Sequence, residues 1–184
     1  FYPFSGPDAM YALALFPDAG AFALAGLEPV GDVPDFTRFD DATLNASFAE
    51  LRRSLNSLKA FSFFRTNDMR AEFGANRFSG VTPILMLFIA RHGFSVIAVE
   101  PVVMEPNATL TQVSANALRS PAPNRVAGVR LRFQKPGEAR ERVLYYFAAD
   151  LSDQGLAKNA QSLKWAEGFA PTATYLKSAS YLMH

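Results

Sequence analysis

Two stretches around residue 130 alternate strictly, and this alternation restricts the fold more than any other feature of the chain. Val129, Leu131 and Phe133 interleave with Arg130, Arg132 and Gln134. Beyond Lys135-Pro136-Gly137-Glu138, Val143, Tyr145 and Phe147 interleave with Arg142, Leu144 and Tyr146. A period of two sends successive side chains to opposite faces, so 126–134 and 139–149 are expected as paired strands with one face for a core. Pro-Gly prefers a type II turn, which splays a tight hairpin. A loop of about three to five residues is therefore expected.

Helical periodicity surrounds this hairpin. Leu44, Phe48, Leu51, Leu55 and Leu58 recur at steps of four and three, which predicts a helix over 41–61 capped by Asp40 or Asp41. Thr82 followed by Pro83, with Gly93 past the end, brackets a helix over 83–92 that is apolar on every side and therefore buried. A short helix is expected over 7–16, ended by Pro17, and helical signals return after residue 150. The period returns to two over 94–104, where Pro101 argues for an edge or a bulge. Minor strands are expected near 22–27 and 110–113. The fold class that follows is α+β: an antiparallel sheet of four to five strands with the 41–61 and 83–92 helices packed on one face. Residues 1–184 are read as a single domain.

Composition narrows the chemistry. Hydrophobic residues make up 49% of the chain, enough to exclude disorder. The absence of cysteine removes thiol catalysis and zinc–thiolate sites. His92 and His184 lack metal-ligand spacing, and no phosphate-cradling glycine loop occurs, so no metal or cofactor is expected. A net charge of +1 argues against a nucleic-acid partner. The most apolar window, 81–104, is broken by Arg91, His92 and Glu100, so no membrane span is expected. The chain starts at Phe1 and finishes on the apolar Tyr181-Leu182-Met183-His184. It is expected to be the N-terminal or processed part of a longer chain, a removed signal peptide being one source of such a start.

Two constellations carry candidate chemistry. Arg130, Arg132, Arg140 and Arg142 share one face if the hairpin loop is odd in length, with Arg132 near Arg142. Like charges across a ladder are costly, and an acidic partner, a phosphate or an acidic loop relieves that cost. Glu138, Glu141 and solvent are the ordinary compensation. Such a face suits another protein chain or an anionic ligand. In the last segment Lys177, Tyr181 and His184 fall at i, i+4 and i+7, with Ser178 alongside. Lys177 and Tyr181 join the arginines as candidate binding residues. With Asp8 or Asp68 close by, Ser5 or Ser178, His184 and a carboxylate form the parts of a hydrolase. Asp8, Ser178 and His184 are the catalytic candidates of that alternative.

The phrases FYPFSGPD (1–8), LEPVG (27–31), FFRTNDM (63–69), GVTPIL (80–85) and KSASYLMH (177–184) together resemble a set of exported, often lipoprotein-like bacterial proteins of unassigned function. The resemblance spans most of the chain and brings no catalytic residue with it. It implies an exported protein, periplasmic or at the cell surface. Joined to the aromatic content and the arginine face, it favours a non-catalytic binding or assembly subunit of the cell envelope.

Overall fold

The computed structural model describes residues 9–34, 40–47, 49, 80–119 and 122–168. The elements run α1 (Ala9–Leu15), β1 (Ala21–Gly26), α2 (described over 41–47), α3 (Thr82–Arg91), β2 (Ser95–Met104), β3 (Leu110–Gln112), α4 (Ala115–Leu118), β4 (Val126–Gln134), β5 (Glu141–Ala148), α5 (Asp153–Lys158) and α6 (Gln161–Glu167). The fold is α+β. Five strands form one sheet in the order β1-β5-β4-β2-β3. The three pairs β5–β4, β4–β2 and β2–β3 are antiparallel, and β1 joins β5 in parallel. That parallel edge pair is the departure from the antiparallel sheet expected.

The alternating hairpin forms as anticipated, with Val129, Leu131 and Phe133 buried. The identity of the inner residues on β5 is corrected. Gln134 pairs with Glu141, so residues 135–140 separate the strands, an even number and a longer loop than expected. Parity then places Leu144 opposite Leu131 and Tyr146 opposite Val129 on the core face. Val143, Tyr145 and Phe147 belong to the other face. The Pro-Gly turn itself is as expected. Glu138 N donates to Lys135 O at 3.1 Å, and Gly137 takes φ +83°, the left-handed value that the third position of a type II turn requires.

α1 and α3 pack on the core face. Ile84, Leu85, Phe88 and Ile89 of α3 meet Leu24, Leu131, Phe133 and Leu144, while Ala12 and Leu13 of α1 join the same cluster. His92 Nε2 donates to the Met10 carbonyl at 3.0 Å and ties α3 to α1. Pro83 sits in the first turn of α3, but Thr82 is not its cap. Its hydroxyl donates instead to Val30 O at 2.7 Å, anchoring the loop that follows β1. Asp40 does cap α2, accepting from Thr43 N at 2.7 Å. Residue 49 is also helical, and the rest of the segment expected as a helix over 41–61 lies outside the described residues.

Pro101 stands inside β2 without breaking it. Its carbonyl accepts from Val113 N, so its ring nitrogen also faces the β3 side, where the β3 ladder begins only at Val102. The β4 ladder therefore loses no donor. The irregularity of β2 lies elsewhere, between Val96 and Ala98. The second face of the sheet is covered at one end. There Trp165 of α6 stands edge-on to Tyr145 (5.1 Å, 73°) and Phe147 (4.8 Å, 72°), above Val102, Met104 and Val126.

Candidate interaction surface

The even loop splits the four arginines anticipated on one face. Arg130 and Arg132 of β4 lie on the second face, with Val143 and Tyr145 opposite them. Arg142 lies opposite Phe133 on the core face, and its side chain is only 4% exposed. Its guanidinium stacks 5.0 Å from the Phe94 ring centroid and donates through Nη1 to Glu138 Oε2 at 3.1 Å. A cation over an aromatic face, with one carboxylate at hand, offsets part of the cost of burying a guanidinium whose Nε finds no acceptor among the described residues. Arg140 belongs to neither face. It sits in the loop and donates to the Asp18 carbonyl at 2.7 Å, pinning the turn that leads into β1.

The two arginines left together are matched by acids. Glu100 of β2 lies directly opposite Arg130 and accepts from its Nε at 2.5 Å. The other Glu100 oxygen lies 3.9 Å from Arg132 Nε, and Arg132 Nη1 donates to Glu141 Oε1 at 3.2 Å. The Arg130 guanidinium is held above its usual pKa, chiefly by the hydrogen bond to Glu100, with burial opposing. Two guanidinium groups thus meet two carboxylates. The Arg132–Arg142 repulsion inferred from the sequence does not arise, because the two lie on opposite faces. Glu141 compensates Arg132 as the sequence suggested, and Glu100 is the added partner that hairpin spacing alone does not reveal.

Lys177, Ser178, Tyr181 and His184 lie outside the described residues, as do Ser5, Asp8 and Asp68. Among the described residues, no group of three or more His, Asp or Glu side chains could hold a metal ion. Nor is any helix among them long and apolar enough to cross a membrane.

A feature that local periodicity did not single out is the free edge of β1. Val143 N donates to Gly20 O (3.0 Å) and Ala149 N to Gly26 O (2.8 Å). These terminal bonds fix the parity of the parallel ladder, in which Phe22 and Leu24 turn their backbone groups to β5. Ala21, Ala23 and Ala25 therefore point their N–H and C=O groups away from the sheet, and no partner meets them among the described residues. The side chains of Phe22 and Leu24 are buried, while Ala21 is exposed.

The two edges of the sheet differ in how they are guarded. β3 is only 3 residues long, which itself limits pairing. β1 runs for 6 residues as Ala-Phe-Ala-Leu-Ala-Gly, with no charge, no proline and a continuous register. Lysines, prolines and bulges are the usual protections of such an edge, and β1 has none of them. Compared with family models, curated proteins and solved structures, the chain matches none.

Proposed function

We propose that this chain is a non-catalytic binding and assembly subunit of the bacterial envelope that holds another polypeptide along its β1 edge. The observation that carries this reading is the outward backbone of Ala21, Ala23 and Ala25, unpartnered among the described residues. Alternating donors and acceptors spaced along a strand are complemented by an extended peptide, which adds as a further strand. Charge pairing on the second face favours a polypeptide over an anion, because Glu100 and Glu141 already neutralise Arg130 and Arg132. The exported location rests on the five sequence phrases and their resemblance to exported proteins.

A photo-crosslinking amino acid at position 21, with the same probe at the exposed Glu167 as control, tests the reading in cells making the full chain. The expected result is a covalent adduct with a second polypeptide, formed from position 21 only and recovered in the envelope fraction. No adduct from position 21, or equal adducts from both positions, overturns the edge assignment. Recovery in the cytoplasm overturns the envelope assignment.

A further inference from the structure

We infer that the polypeptide completing the β1 edge is the β1 strand of a second copy of this chain, paired antiparallel about a twofold axis through Ala23. The inference rests on the reading of β1 as the binding edge and names its occupant. Its basis is self-complementarity. A twofold interface brings the same strand against itself, so each residue must tolerate the partner that symmetry assigns to it. When Ala23 faces Ala23 of the other copy, Ala21 faces Ala25 and Phe22 faces Leu24. All three outward-pointing residues then fall in hydrogen-bonded pairs, each exchanging an N–H and a C=O with its counterpart. A shift by one residue sets each outward-facing alanine opposite a residue whose backbone groups are turned to its own β5, so the hydrogen-bonded pairs are lost. A shift by two leaves one of the three alanines without a counterpart.

The side chains agree with this register. On the second face alanine meets alanine, so the strands approach without crowding, and the 21–26 segment brings no charge to oppose a like charge. On the core face Phe22 of one copy falls opposite Leu24 of the other. Both are already buried in their own chain's core, so the register sets apolar against apolar and asks no polar group to be covered there. The net charge of +1 sets almost no repulsion between copies. The product is a continuous sheet with two copies of the β1-β5-β4-β2-β3 order joined at β1, in which the short β3 strands are the edges among the described residues.

Sedimentation equilibrium on the full chain and on two charged variants tests the pairing. A21K/A25K sets lysine against lysine at both outer pairs, whereas A21K/A25E sets lysine against glutamate at the same places. The expected result is a dimer for the unaltered chain and for A21K/A25E. Dimerisation of A21K/A25K should be weaker by about tenfold or more, with circular dichroism unchanged. Equal dimerisation of the two variants overturns the register. A chain that stays monomeric at every concentration overturns the second copy as occupant. Crosslinking from position 21 in a mixture of isotopically light and heavy chains separates the two proposals. Light–heavy adducts support the self-pair, an adduct with a foreign polypeptide overturns the self-pair alone, and the absence of any adduct overturns the edge reading itself.

Discussion

Tyr146 links the sheet to the loop after β1 through one hydroxyl. It donates to the Glu28 carbonyl at 2.8 Å and lies 3.2 Å from Glu28 Oε2, with both residues buried. Gly26 is part of the same arrangement, since a Cβ there would collide with the Glu28 carboxylate and crowd the Tyr146 hydroxyl. Removing the hydroxyl strands a buried acceptor. Tyr146→Phe is expected to lower unfolding stability by about 1–3 kcal/mol in urea titration. Glu138 tests the charge around Arg142. Its carboxyl is held below the ordinary glutamate range, first by the Arg142 hydrogen bond, with desolvation opposing, and then by the Lys135 charge. A depressed folded pKa contributes stability above the unfolded value and loses it as pH falls through the folded value. Glu138→Gln should therefore flatten the acid limb of the stability–pH curve below about pH 4, where the wild-type and variant curves converge.

At the scale of elements, the decisive quantity is the parity of one loop. Every side chain of β5 from Val143 to Phe147 is apolar or aromatic, so alternation in that strand cannot say which set faces inward. Only the even number of residues between Gln134 and Glu141 settles it, and parity also sends Arg142 into the core. Leu144→Ala should accordingly cost about 2–5 kcal/mol, and Val143→Ala, on the half-buried side, distinctly less, measured by thermal or urea unfolding. Where patterning was unambiguous, sequence and structure agree. The buried side of β4, the Pro83–Gly93 bracket around α3 and the short strand near 110 were all legible, because each depends on local period or punctuation. The β1 placement was not. Ala-Phe-Ala-Leu-Ala-Gly reads as a strand, but nothing in six residues states that it will pair in parallel with a segment more than a hundred positions away. The acidic match to Arg130 was hidden for the same reason, since Glu100 reaches it only across the β2–β4 register. The hydrolase candidates Asp8, Ser178 and His184 lie outside the described residues, together with Lys177 and Tyr181.

Among the described residues the molecule is a sheet with two unequal faces and two unequal edges. There α1 and α3 pack on one face, Trp165 stands over one end of the other, and the Arg130–Glu100–Arg132–Glu141 group lies further along that second face. The lone tryptophan gives a direct reporter of that second cover. Phe147→Ala removes one of the rings against which Trp165 stands, and its emission should shift to longer wavelength in the folded variant, read by fluorescence before denaturant is added. The unequal edges carry the functional account, because of the two edge strands among the described residues β1 is the one that combines length, neutrality and outward-facing backbone. Amide hydrogen exchange along β1, followed residue by residue in dilute and in assembled protein, tests that account most directly. In the dilute, dissociated chain the Ala21, Ala23 and Ala25 amides should exchange quickly while those of Phe22 and Leu24 stay protected, and on assembly the alanine amides should become protected too. Protection of all five at every dilution, or alanine amides that remain fast after assembly, would contradict it.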